Sequence, residues 1–239
     1  MEKQKIYLLY NPLAKCGNWK AESEKAEKFF KDREIIKKDI TTLSSCSAYE
    51  DFFEEAKEDD ILIAGGDGTL NRFVNDIGDI EFKNGIFYYP CGTGNDFWND
   101  LGKTENDGPL DISEYLKDLP TVTVNGITKK FINGIGYGID GYCCEVGDKL
   151  RAEGKQNINY AGIAIKGLLF HFKTKNATVI ADGKEFKFNK VWLAPTMLGR
   201  YYGGGMIPTP DQKKIKYKQT SFVYGFIRFG QIKNAYGFS

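Results

Sequence analysis

The stretch that decides the fold is ILIAGGDGTLNRFV, Ile61 to Val74. Four apolar residues run into Gly65-Gly66-Asp67-Gly68-Thr69, and an amphipathic segment follows at once. A short apolar run that stops at glycines reads as a buried strand, and TLNRFVNDI after it has helical spacing. Strand, glycine loop and helix in that order put free N–H groups and a positive dipole end beyond the carboxyl end of the strand. Glycines there let the backbone approach a ligand closely. The arrangement suits phosphate. Asp67 opposes it, because a carboxylate repels phosphate unless a cation intervenes or the acid acts on a proton; magnesium resolves the conflict.

One Gly-Asp-Gly alone is better explained as a tight turn with a solvated aspartate. A second polar glycine loop, CGTGND from Cys91 to Asp96, follows the next strand and moves the balance to phosphate. Asn11-Pro12 leaves the end of the first strand in the same way. No GxxxxGK[ST] occurs, so no P-loop is present. GYGIDG, Gly136 to Gly141, spells GxGxxG, but it lies in a β-rich stretch with no clear helix pattern after it, and strand-end glycines explain it.

Outward from that loop, the first half alternates strand and helix. KIYLLYNP reads as a strand, Asn18 to Lys31 as a helix, and Glu34 to Ile40 as a second strand. Ser47 with Glu50 forms a capping box that opens a helix to about Lys57. DILIA and GIFYYP supply two more strands. Such alternation predicts an α/β domain with a parallel sheet covered on both faces, residues 1–119. From Thr121 the texture changes to β runs with close turns, among them ATVIADGKEFKF with Asp182-Gly183 as a hairpin turn. One helix interrupts near Asn157 to Phe172, with Ile158, Ala161, Ile165, Leu168 and Phe172 on one face. Residues 120–239 therefore read as a mostly antiparallel β-sandwich domain.

Composition excludes several classes. Charged residues make up 27% and hydrophobic residues 41%, with net charge +1, so nothing marks a nucleic-acid partner. No apolar run approaches the roughly 20 residues of a membrane-spanning helix. The amino terminus lacks signal-peptide architecture, and five cysteines form no CxxC pair, so a reduced, cytoplasmic setting is expected. The single histidine, His171, closes an apolar helical run and reads as a half-buried structural residue. Histidine-based zinc sites and dyads lose their ligands, and any proton chemistry falls to carboxylates.

GGDGTLNRFV, PCGTGNDFW, PLDI, FINGIGYGIDGY and YYGGGMIPTP together resemble the diacylglycerol kinase and sphingosine kinase family of lipid kinases. The resemblance covers nearly everything from Tyr7 to Gln212. GGDGT also occurs in NAD kinases; GTGND with F-x-N-x-G-x-G is more specific to the lipid kinases. The resemblance implies an ATP- and magnesium-dependent kinase acting on a lipid hydroxyl, diacylglycerol first, at a membrane surface to which the chain is peripheral, and as a homodimer. It implies nucleotide contacts at Asn11, Gly66, Gly68, Thr69, Gly92, Thr93, Gly94 and Asn95. Asp67 matches a general base or magnesium-network member, Asp111 a further metal position, and Asp96, Asp140 and Asn133 substrate-side positions. NAD kinase and a nucleotide-binding remnant without turnover are the rival readings.

After Gln212 the pattern breaks. From Gln212 to Ser239 there are six basic residues and no acidic one, and the family's returning acidic segment is missing. Basic and aromatic residues together suit an anionic membrane. Alternatively, residues 213–239 are out of frame: with suitably chosen codons, a one-base shift turns GFIRFGQIKNAYGFS into VLFGSGKLKTLMVF, which resembles the family's strand–turn–strand. The frameshift is the preferred reading, and with it an incomplete second domain and a poor kinase.

Overall fold

The computed structural model describes residues 4–12, 19–104, 106–155, 158–203, 205–212, 223–228 and 231–235. The chain divides into two compact units. The first runs to Ile132 and takes in Gly203–Met206; the second comprises Asn133–Tyr202 with Ile207–Gln212 and the later strands.

In the first unit, β1 (Lys5–Tyr10), β2 (Glu34–Asp39), β3 (Asp60–Gly65) and β4 (Ile86–Pro90) form a parallel sheet in the order β2-β1-β3-β4. A short β5 (Leu110–Asp111) closes the edge antiparallel to β4. Helices cover both faces, as the alternation requires. Alternate residues of β1 go to opposite cores: Tyr7 and Leu9 join one with α2 (Cys46–Ala56) and α3 (Asp67–Asp76), while Ile6 and Leu8 join the other with Ala26 of α1 (Trp19–Glu27). The α2/α3 side is aromatic-rich: Tyr49 and Phe73 meet edge to face at 5.5 Å, as do Tyr7 and Phe52 at 5.4 Å.

The start of α2 differs from the sequence expectation. Ser45 caps the helix, its Oγ accepting from the Ala48 N–H at 3.2 Å. A cap needs extended backbone, and Ser45 has it (φ −147°, ψ 161°), whereas Ser47 already lies inside the helix. The hairpin of β6 (Thr121–Val124) and β7 (Ile127–Lys130) is held to α3 by Asn75, whose amide donates to the Lys130 carbonyl at 3.0 Å and accepts from its N–H at 2.9 Å. The texture change at Leu119-Pro120 thus precedes the division between units, which falls after Ile132.

The second unit holds β8 (Gly134–Gly138), α5 (Ile139–Ala152), α6 (Tyr160–Lys166) with a π-helical continuation Gly167–His171, the hairpin β9 (Lys175–Ala181) and β10 (Lys184–Val191), and β11 (Leu193–Met197). β8, β11, β12 (Val223–Arg228) and β13 (Gln231–Ala235) pair antiparallel. Asp182 and Gly183 both have positive φ, 50° and 75°, as a two-residue hairpin turn requires. Most of the segment read as out of frame, residues 213–222, 229–230 and 236–239, lies outside the described residues.

α5 corrects the sequence reading, which saw no helix after the GxGxxG. Its stripe was present: Ile139, Tyr142, Cys143, Val146 and Leu150 recur at helical spacing. Gly141 and Gly147 masked it, being poor helix formers. Gly147 is there for packing, since a Cβ would lie 2.6 Å from the Tyr160 hydroxyl on α6. The capped part of the expected 157–172 helix is shorter, opening at Asn159, whose Oδ1 accepts from the Gly162 N–H at 2.9 Å. His171 is exposed rather than half-buried, because the π-helical turn carries it outward beside Tyr142.

Among the described residues no cysteine forms a disulfide, and no helix is long and apolar enough to cross a membrane. Tyr49 is fully buried, and its hydroxyl lacks a hydrogen-bond partner among them. Tyr49→Phe removes an unsatisfied polar atom without opening a cavity, so urea unfolding should show stability unchanged or raised by about 1 kcal/mol. A clear loss would mean the hydroxyl is satisfied in solution. Burial also holds the phenols of Tyr49 and Tyr88 above their usual range. A raised pKa in the folded state stabilises below about pH 10 and is lost above it. Their phenolate absorbance should therefore appear only with alkaline unfolding.

Candidate functional site

The two glycine loops lie at the carboxyl ends of adjacent strands, since Gly65 of β3 pairs with Pro90 of β4. They touch backbone to backbone. A Cβ on Gly66 would lie 2.9 Å from Gly92 Cα, and one on Gly92 would lie 2.7 Å from Gly66 Cα. These two glycines are required by the meeting of the loops. The Cys91 N–H donates to the Gly65 carbonyl at 2.8 Å, and the buried Tyr88 hydroxyl donates to the same oxygen at 3.0 Å. Gly65 faces Thr69, whose Cβ would be 2.5 Å from an added methyl. Thr69 is buried, and its hydroxyl accepts from the Asn11 amide at 3.0 Å, which ties the end of β1 to the first turn of α3.

Asp67 links the loops. One carboxylate oxygen accepts from the Asp96 N–H and the other from the Phe97 N–H, each at 2.9 Å. These donors open α4 (Asp96–Asp100), so Asp67 neutralises that helix end. The repulsion for which the sequence reading invoked magnesium is thus met in part by protein N–H groups. Asn95 has the left-handed backbone (φ 54°, ψ 44°) that short polar side chains tolerate. Its amide accepts from the Gly92 N–H at 2.9 Å and donates to the Gly92 carbonyl at 3.2 Å, closing the loop on itself. Asn99 donates to the Gly94 carbonyl at 2.9 Å. Thr93 and Gly94 are left exposed at the loop tip.

Asp96 is buried, and its Oδ2 accepts from the Gly203 N–H at 2.5 Å. Nothing in YYGGGMIPTP as a sequence names Asp96 as the partner of Gly203. The signal was its glycines: Gly203 has φ 73°, a conformation that suits glycine. The Asp67 and Asp96 carboxylates both border Gly94, for a Cβ there would lie 3.8 Å from Asp67 Oδ2 and 3.6 Å from Asp96 Oδ1. Asp111 is not brought to them. It pairs with Phe87, three residues before the carboxyl end of β4, and its Oδ1 accepts from the Ser113 N–H at 2.9 Å and the Ser113 hydroxyl at 2.6 Å. Among the described residues no group of three or more His, Cys, Asp or Glu is set to hold a metal.

In the second unit, the Asn133 carbonyl accepts from the Leu198 N–H at 2.7 Å. Asp140, in the first turn of α5, accepts the Tyr202 hydroxyl at 2.7 Å. A Cβ on Gly136 would collide with both partners, which explains that glycine. Burial, and then the bond to Asp140, hold the Tyr202 phenol above its usual range.

Gly68 is different from the other glycines of the first loop. It lies in the first turn of α3, and a Cβ there would meet no atom within 4 Å. Open space beside the amino end of a helix is where an anion would sit. Gly68→Ala should raise Tm, by helix propensity worth about 0.5–1 kcal/mol, while weakening binding of ATP. Unchanged ATP affinity by calorimetry would show that no phosphate approaches there.

An α/β unit with glycine loops beyond its third and fourth strands, followed by an antiparallel β unit, defines the fold class of the lipid kinases. The profile of the diacylglycerol kinase catalytic domain matches residues 5–125, and the chain belongs to that family. It is 29% identical over 171 residues to the protein named Putative lipid kinase in Staphylococcus haemolyticus, covering 70% of this chain and 54% of that one. It is 25% identical over 198 residues to Putative lipid kinase YtlR of Bacillus subtilis, covering 74% and 58%. The chain therefore spans little more than half the length of these relatives. The crystal structure of a putative diacylglycerol kinase from Bacillus anthracis superposes with a TM-score of 0.61 at 22% identity, over 95% of this chain and 74% of that one, which supports the fold.

Proposed function

We propose that the chain carries the nucleotide site of an ATP- and magnesium-dependent kinase that phosphorylates a hydroxyl of diacylglycerol or a related lipid. The observation that carries this reading is the clamp between the glycine loops: Asp67 holds the start of α4 while the start of α3 beside Gly68 stays open. Phosphoryl transfer asks mainly for positioning and charge neutralisation. N–H groups of the first turn of α3 and the loop at Thr93-Gly94 would hold the phosphates, with Asn11 and Thr69 fixing the loop behind them. Magnesium uses one or two carboxylates together with phosphate oxygens and water, so Asp67 and Asp96, which both border the second glycine loop, fit it better than Asp111, set back along β4. When bound it would neutralise developing charge on the phosphoryl oxygens.

Asp67 reads better as a positioning residue than as the base, since both its oxygens already accept N–H bonds. Asp140 and Asn133 remain the proposed acceptor-side residues. A peripheral encounter with membrane on the cytoplasmic side draws support from the second unit. Phe170 (75% exposed) and Ile165 (59%) stand out, and no acidic residue occurs from Gly154 to Ala181, against four lysines. Self-association as a homodimer belongs to the same proposal.

The test is calorimetric ATP binding together with phosphate transfer from ATP to diacylglycerol in mixed micelles with magnesium. Binding and transfer are expected. ATP binding without transfer to any lipid would favour a nucleotide-binding segment lacking turnover. Transfer to NAD would select NAD kinase, and absence of ATP binding would overturn the nucleotide site.

A further inference from the structure

Tyr10 is the last residue of β1 and Trp19 the first of α1. Their rings stack with centroids 4.0 Å apart and planes within 10°. Both residues are half-buried, and neither belongs to the two cores of the first unit. The strand neighbours of Tyr10 are Asp39 on β2 and Ala64 on β3, and Ala64 immediately precedes Gly65. Asn11, the next residue, is the one bonded to Thr69. The aromatic pair therefore stands beside the first glycine loop, on the β1 side of the crevice.

The other side is already filled. Toward β4 the crevice meets the Asp67 carboxylate bound to the start of α4, the Asn95 amide closed on Gly92, and the Gly203 N–H on Asp96. A nucleotide with its phosphates at α3 must carry its base along the carboxyl edge of the sheet. Toward β4 the base would displace these bonds, and toward β1 it reaches the half-buried Tyr10–Trp19 stack, which has no part in either core. The Lys20 ammonium lies 5.8 Å from the Trp19 ring centroid, near the limit of cation–π reach, and an exposed lysine yields that place readily.

We infer that Tyr10 and Trp19 form the platform on which the base of a nucleoside triphosphate stacks. The inference rests on the nucleotide role proposed for the glycine loops and names where the base goes. Because every base has a π face, a platform without edge-reading hydrogen bonds favours large purines without telling adenine from guanine.

The test is calorimetry on the full chain with ATP, GTP and inorganic tripolyphosphate, each with magnesium, for wild type, Trp19→Ala, Trp19→Phe and Tyr10→Leu. Trp19→Ala should weaken ATP and GTP by roughly tenfold or more, the range of base–aromatic stacking, with tripolyphosphate held within about twofold. Trp19→Phe should retain most of the affinity, and Tyr10→Leu should lose part of it. Unchanged ATP affinity in Trp19→Ala, or an equal loss for tripolyphosphate, overturns the platform and leaves the nucleotide site standing. A wild type that binds none of the three ligands overturns the nucleotide site itself, and the platform with it.

Discussion

Asp67→Asn is expected to lose stability, ATP affinity and phosphate transfer together. The amide oxygen can still accept one of the two N–H bonds that open α4, but its NH2 must face the other donor. A donor left without an acceptor in a half-buried loop costs about 1–3 kcal/mol. The start of α4 also loses the negative charge that suits its dipole, a smaller effect in the same direction. Released from Asp67, the second loop no longer holds Thr93 and Gly94 opposite α3. Urea denaturation, calorimetry with ATP and the micelle assay distinguish this from a proton-abstracting role. A base acting alone would leave stability and ATP affinity unchanged and reduce turnover only, by about 10²–10⁴-fold. Wild-type stability in Asp67→Asn would remove the clamp from the account.

Gly92→Ala should be strongly damaging, because the added methyl meets backbone as well as a side chain. The new Cβ would stand 2.7 Å from both Gly66 Cα and Asn95 Oδ1. Backbone on one side and a doubly hydrogen-bonded amide on the other leave little freedom to yield. Overpacking of this kind costs about 1–3 kcal/mol, and separation of the loops should weaken ATP by roughly tenfold or more. Gly66→Ala meets the same opposition from the other loop, at 2.9 Å from Gly92 Cα. One separation relieves both clashes, so the double variant should cost less than the sum of the two. Strict additivity in a thermal or urea cycle would show that the loops do not touch in solution.

The parallel sheet was legible because its signals are local. ILIA at Ile61–Ala64 is buried on both faces, so every residue of the run is apolar, and the glycines mark its end. The Asp182-Gly183 turn was legible for the same reason, since a two-residue hairpin needs positive φ at both positions. α5 was less so: its apolar stripe was diluted by Gly141 and Gly147, and the reason for Gly147 lies on a different helix. The cap of α2 read from sequence, Ser47, falls two residues late, because the extended backbone a cap needs belongs to Ser45 and is decided only in the folded chain.

At the site, the residue types could be read from sequence but their partners could not. Sequence alone determined that two glycine loops leave the ends of successive strands, that carboxylates stand among them, and that their motifs resemble those of the lipid kinases. Tertiary structure decided that Gly66 and Gly92 serve each other, that Asp67 is held by α4, that Gly203 reaches Asp96, and that Asp111 stands apart. Strand and turn propensities act over a few residues and are written where they act. A contact between residues 29 or 107 positions apart depends on how strands order themselves in the sheet, and no local pattern in the chain records it.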